Sequence, residues 1–249
     1  KIEERRQCSK LYNGLIAPVE GFAARGFVWY QGESNLKTAD RYAEQMERMV
    51  RFWRERWSDK QARMPFIYVQ IAPYENKNAD DIDAALLMEA QIDASERIAN
   101  SHIVCTTDTG EKSCIHPSDK QTVGRRIAAQ ALRRSYGVKL PDDAVEGVRF
   151  ERAEFANGQA TVTFRNAKYG LTPQGEAIAG FELAGADGIF HPAEGRIVKS
   201  RPQVTVTSPE VPEPVAVRYA FRNFIPTNLH NTLGQAVLPF RSDRPAANR

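Results

Sequence analysis

Three apolar runs without polar alternation, each followed by a long helical pattern, constrain this chain more than any other feature. The runs are residues 26–30 (GFVWY), 65–72 (PFIYVQIA) and 102–106 (HIVCT). A strand that faces water alternates polar and apolar residues, so runs of this kind read as buried strands. Residues 38–57 repeat Tyr42, Met46, Met49, Val50, Trp53 and Trp57 at three- and four-residue steps, which builds one apolar helical face. Residues 80–99 place Ile82, Leu86, Ala90 and Ile98 near one stripe, and 117–136 place Val123, Ile127, Ala131 and Leu132. Pro117 suits a first helical position and Gly137 the position just past an end. Strands separated by helices predict an α/β unit, a mainly parallel sheet covered on both faces. Strand order is not set by these patterns.

Past Leu140 the character changes. Residues 145–150, 159–164, 180–185, 203–208 and 214–221 are short runs, with plain alternation in Val204, Val206 and in Val215, Val217, Tyr219. Asn157-Gly158, Pro173-Gln174-Gly175 and Asp187-Gly188 are turn signals between them. The expectation is therefore two domains: residues 1–140, the α/β part, and residues 141–249, an all-β accessory unit of sandwich type. Pro141-Asp142-Asp143 marks the boundary, and the tail RSDRPAANR reads as frayed.

Composition removes several function classes. No apolar run approaches the 18 residues or so of a membrane span, so no membrane partner is expected. The net charge is +3 with signs interspersed. The densest basic cluster, Arg51, Arg54, Arg56, Lys60 and Arg63, is broken by Glu55 and Asp59 and reads as a solvated helix face, not a nucleic-acid patch. Three cysteines without a CxxC pair make neither a disulfide framework nor a zinc site, and the four histidines show no HExxH spacing. No metal and no cofactor is expected. The N-terminal KIEERRQCSK is charged and lacks the apolar core of a signal peptide.

Open parallel sheets bind ligands beyond the carboxyl ends of their strands. Three polar segments lie there: Gln31–Asn35, Pro73–Asn76 and Thr107–His116. His116, just before Pro117, is either a general base held at a cleft or a histidine capping the following helix. Gln31 could donate to a developing oxyanion, with Gly32 letting the backbone pass close; the competing reading is a polar turn that Glu33 holds by hydrogen bonds. Gly32-Glu33-Ser34-Asn35-Leu36 starts like a nucleophile elbow but ends in Leu, and Ser34-Asn35-Leu36-Lys37 matches only the weak SxxK pattern.

Phe27–Asn35 (FVWYQGESN) resembles the WYQGESN block of the sialate O-acetylesterases, members of the SGNH (GDSL-like) serine esterases. Leu11–Pro18 is similar to that family's YNGMI-P segment, Val69–Tyr74 to its VQLAPY segment, and Glu89-Ala90-Gln91 to its REAQ element, with Met88 where Arg is usual. Asp108-Thr109-Gly110 with Ile115-His116-Pro117 and Lys120 resembles its DIG…IHP-x-x-K block. Ala216–Ala220, Asn228-Leu229 and Pro239–Asp243 resemble its C-terminal segments. The resemblance implies an SGNH-hydrolase-like sheet and a carbohydrate O-acetylesterase acting on acetylated sugars such as sialic acid or other acetylated glycans. It implies His116 as the base, Gln31 in the oxyanion hole, and Gly32 and Glu33 in the same block, Glu33 supporting the loop. Tyr74 could stack on a sugar ring or pack in the core. A periplasmic or secreted location follows from the same likeness.

Two departures qualify this. The family's nucleophile block lies upstream of the YNGMI segment, and no such block is present, so the serine is expected on a missing N-terminal part or a separate chain that completes the sheet. Ser113, not Asp, stands three residues before His116, so the Ser113 carbonyl is expected to orient the imidazole, with Asp108 the other candidate. A Cys105–Cys114 bridge would tie the loop down. The rival expectations are a non-catalytic carbohydrate-binding or scaffold protein, and Ser34 as nucleophile.

Overall fold

The computed structural model describes residues 9–76 and 81–244; the charged N-terminal stretch through Cys8 and the tail from Pro245 lie outside them. The three apolar runs form parallel strands β1 (Phe27–Tyr30), β2 (Phe66–Val69) and β3 (Ser101–Val104), in the order β1-β2-β3. Parallel strands put all three carboxyl ends on one edge, so each following loop starts from that edge. Helices α1 (Ala39–Arg56) and α2 (Asp83–Arg97) cover one face. There Tyr42, Met46 and Val50 meet Leu87, Met88 and Ala94 over Phe66, Tyr68 and Ile103. Helix α3 (Lys120–Tyr136) covers the other face, with Val123, Ile127 and Ala131 on Ile67, Val69 and Val104.

Several expectations need correction. β1 is not buried on both faces. Among the described residues it has a neighbour on one side only. Phe27 and Trp29 pack under α1, but Val28 and Tyr30 remain 58% and 39% exposed, whereas their register partners Ile67 and Val69 lie under α3. An apolar run reads the same for a central strand and for an edge strand left uncovered. On α2, Ala90 is buried as expected, and so is Ile98 just past its end, but Ile82 and Leu86 are partly open, and the inward face is completed by Ala84, Ala85, Leu87, Met88, Gln91 and Ala94. α3 starts at Lys120, not at Pro117: the Asp119 side chain caps it by accepting from Thr122 N at 2.9 Å. Of the basic cluster, Arg54 is buried and donates to the Met64 and Asn100 carbonyls at 3.3 and 3.2 Å. Cys105 and Cys114 are free thiols, so no bridge ties the loop.

A single turn, α4 (Asp142–Val145), leads into seven antiparallel strands: β4 (Arg149–Ala156), β5 (Gln159–Arg165), β7 (Ile178–Ala184), β8 (Phe190–Ile197), β9 (Gln203–Thr207), β10 (Ala216–Tyr219) and β12 (Phe240–Arg241). Their order is β12-β10-β7-β8-β9-β5-β4, while β6 (Leu171–Thr172) and β11 (His230–Asn231) form a separate ribbon. The unit is one nearly closed sheet, not a two-sheet sandwich. Its two end strands approach each other: Phe150 of β4 stacks on Phe240 of β12 with ring centroids 4.5 Å apart. A strongly twisted sheet that curls on itself has the same inward–outward alternation as two facing sheets, so the pattern does not separate them. Asn157 and Gly158, both at positive φ, turn β4 into β5.

The two units share packing. Ala236 and Leu238 enter the core beneath α1 and α2. The described part of the tail is not frayed: Arg241 grips Glu89 with two hydrogen bonds (3.0 and 2.8 Å), and Arg244 grips Asp93 likewise (2.8 and 2.6 Å).

Candidate active site

The loops after β1, β2 and β3 are laced together along the carboxyl edge. Gly32 sits against Ile71, where an added Cβ would lie 2.5 Å from Ile71 Cγ2. Gly110 sits against Pro73, whose ring atoms would lie 2.7 and 2.8 Å from an added Cβ. Glu75 N donates to the Lys112 carbonyl at 3.1 Å. Lys120, at the start of α3, holds its ammonium 5.6 Å above the Tyr30 ring at the end of β1. The first and third loops are therefore both packed on the loop after β2, along one rim.

His116 lies on that rim, exposed, in the turn before α3. Pro117 beside it is buried, and the Cys114 thiol donates to the His116 carbonyl at 3.2 Å. Glu111 folds back across the turn and accepts from Ser118 N (2.6 Å) and Ser118 Oγ (2.7 Å), which lowers its carboxyl pKa. The helix cap is Asp119, so the capping role considered for His116 is taken by another residue. Among the described residues the His116 imidazole has no hydrogen-bond partner: neither the Ser113 carbonyl nor Asp108 reaches it.

Gln31 is held at the end of β1. Its carbonyl accepts from Tyr42 Oη (3.0 Å) and from Gln91 Nε2 (3.3 Å), while its own Nε2 donates to Asn35 Oδ1 at 2.7 Å. The same Gln91 accepts from Ile71 N at 2.9 Å, so one buried amide joins the loops after β1 and β2. Gly32 (φ 161°) is required by space, not by a left-handed backbone. Glu33 opens a short 3₁₀ turn, Glu33–Thr38, and its charge, after burial, raises the Tyr30 pKa. Tyr74 is half-buried and is placed by its backbone amide, which donates to the Asn223 carbonyl at 2.9 Å. Ser34 is exposed in the same turn as Glu33. A cleft of about 220 Å³ opens beside Gln31, lined by Trp29, Asn35, Tyr42, Gln45, Met46 and Met49. A wider cleft of about 490 Å³, between α2 and the β unit, includes none of the rim residues.

Asp108 is committed elsewhere. Its two oxygens take both arms of the Arg126 guanidinium at 2.7 Å each, and Oδ2 also faces His230 Nε2 at 2.9 Å. Burial alone would raise its pKa, but the hydrogen bonds and charges of Arg126 and His230 outweigh it and hold the carboxyl well below the usual range. Arg126 carries a sequence signal: with Gln130 it continues the inward stripe of α3 from Val123, where a cation needs a partner. His230 carries none, since its partner is 122 positions away.

The family described as carbohydrate esterase, sialic acid-specific acetylesterase, matches residues 1–133. Sialate O-acetylesterase of Mus musculus is 30% identical over 147 residues (53% of this chain and 27% of the mouse protein), and that of Homo sapiens is 31% identical over 146 (53% and 28%). The chain thus spans roughly a quarter of the length of these curated relatives. The crystal structure of a novel carbohydrate acetylesterase from Xanthomonas citri superposes with a TM-score of 0.83 at 36% identity, covering 94% of this chain and 54% of that one. From the matched family and the solved relative together, the chain belongs to the sialic acid-specific acetylesterase family of carbohydrate esterases.

Proposed function

We propose that this chain supplies the base and the oxyanion donor of a serine carbohydrate O-acetylesterase that removes acetyl groups from sugars such as sialic acid or other acetylated glycans. The observation that carries the reading is the laced rim, where an imidazole with no hydrogen-bond partner among the described residues shares one sheet edge with Gln31. The nucleophilic serine comes from an upstream segment or a separate chain that pairs with the open side of β1; Val28 and Tyr30 are the apolar surface it would cover. The serine attacks the acetyl carbonyl while His116 takes its proton and returns it to the departing sugar oxygen. Gln31 Nε2 exchanges Asn35 for the developing oxyanion. Gly32 and Glu33 shape that loop, and Tyr74 borders the sugar. Water then attacks the acetyl–serine carbonyl, His116 taking its proton and handing it to the departing serine oxygen, which releases acetate and restores the serine.

The test is acetate release from O-acetylated sialic acid and from acetylated glycans by the chain assembled with the upstream segment. His116→Ala is expected to abolish turnover, and Gln31→Ala to lower kcat by about 10²–10³. Full turnover by His116→Ala refutes the assignment.

A further inference from the structure

We propose that His230 is a positioning residue for the loop that carries His116, acting through Asp108. What the loop does rests on the esterase reading above; the contact itself does not.

Arg126 already satisfies Asp108 with a two-armed grip, at 2.7 Å on each oxygen. His230 adds a third donor from the β11 ribbon. The carboxylate and Arg126 are almost fully enclosed, at 15% and 6% side-chain exposure, and the imidazole is 26% exposed. Its other nitrogen, Nδ1, faces the Asn228 carbonyl at 3.1 Å. Both neighbours can only accept: a neutral ring donates to one of them and a protonated ring to both, and in either form the imidazole lies between two fixed oxygens.

The same stretch of chain holds the start of the loop at further points. Thr227 Oγ1 donates to the Thr107 carbonyl at 3.2 Å, and Thr107 Oγ1 donates to the Val237 carbonyl at 2.9 Å. Arg126 Nη2 donates to the Gly234 carbonyl and Nη1 to the Cys105 carbonyl, each at 3.0 Å. At its far end the loop is fixed by the Asp119 cap. Between these anchors stands His116, whose ring has no hydrogen-bond partner among the described residues, so its place follows from the path of the loop. A displacement of about 1 Å at a catalytic group can cost as much as 10²-fold in rate. With Thr227, His230 is thus a side chain through which the C-terminal unit sets that path, and of the two it alone reaches Asp108.

The test uses the 249-residue chain and two conservative variants. His230→Gln keeps an amide nitrogen where Nε2 donates to Asp108. His230→Asn keeps only the contact toward Asn228. With four histidines in the chain, imidazole NMR signals can be assigned by substitution, and His191, which pairs with Glu210 on the β unit, serves as internal control. The expected result is that His116 signals, and its rate of acylation by diethylpyrocarbonate, change in His230→Asn, stay close to wild type in His230→Gln, and leave His191 unmoved. A fall in melting temperature with unmoved His116 signals would show a merely structural contact and overturn the proposal. Movement of His191 together with His116, or no rescue by Gln, overturns it as well, because the effect is then not local. In the assembled enzyme His230→Asn should lower kcat about tenfold or more with little change in KM. If the assembled wild type hydrolyses no acetyl ester, the esterase reading fails, while the NMR comparison still decides the contact.

Discussion

Gly32→Ala offers the cleanest physical test of the rim. The backbone there is not left-handed (φ 161°), and the cost expected for alanine is steric. The new Cβ would lie 2.5 Å from Ile71 Cγ2 and 3.2 Å from Gln91 Nε2. Relief to an ordinary carbon contact requires a shift of about 1 Å. Ile71 cannot supply it by swinging into solvent, because it is fully buried in the core that α1 and α2 cover. Overpacking of this kind costs about 1–3 kcal/mol, and the loss of glycine's freedom in the unfolded chain returns about 0.4–1 kcal/mol. The net expectation is about 1–2 kcal/mol, or roughly 2–8 °C in melting temperature for a chain of this size. Ile71→Leu removes the clashing branch at a cost below about 1.5 kcal/mol. In that background Gly32→Ala should become nearly neutral, a coupling of about 1–2 kcal/mol. Urea unfolding followed by tryptophan fluorescence is the assay, since Trp29, Trp53 and Trp57, the three tryptophans of the chain, all lie on or beside β1 and α1. An additive double mutant, or a Gly32→Ala protein as stable as wild type, refutes the steric account.

Gly110→Ala should be worse, at about 3 kcal/mol or more, because its neighbours are the Pro73 carbonyl and ring, which cannot turn away; thermal melting of the variant checks it. Arg126→Met should cost about 3–5 kcal/mol by leaving Asp108 enclosed with one donor, and a second change, Asp108→Asn, should recover part of that loss in urea titrations. His102 sets a pH dependence. Burial, then the Arg134 charge, lowers its pKa to about 4, against an opposing effect of Glu146. Above about pH 6.5 the ring is neutral folded or unfolded; as pH falls the unfolded chain takes the proton first, so stability declines between pH 6.5 and 4 and then levels. His102→Gln should flatten the urea midpoint across that window, and an unchanged slope would show that other groups carry it.

Strands β1 to β3 and the three long helices are legible because each presents a periodicity that a buried face demands. What the periodicity omits is the neighbour: Val28 and Tyr30 satisfy the same pattern as Ile67 and Val69, yet only the second pair is covered. β8 escapes notice because Pro192 and Gly195 break it and its outer residues are polar, while β6, β11 and β12 are too short to have a period. The rim residues Gln31, Gly32, Tyr74 and His116 are readable from their place after strands and from family blocks. His230 is not, because its meaning lies in one contact made across the fold with Asp108.

Helix α2 works in two directions within a single turn. Gln91 points inward, fully buried, to hold the Gln31 carbonyl and the Ile71 amide, while Glu89 and Asp93 face outward to grip the tail through Arg241 and Arg244. One inserted or deleted residue in this turn would rotate everything beyond it by about 100°. It would strip the rim and release the tail together. Length variation among descendants of this gene should therefore gather in places such as the Asn157-Gly158 hairpin and be purged from residues 89–93, so that a sequence drifting freely in composition keeps this stretch of the reading frame constant in length.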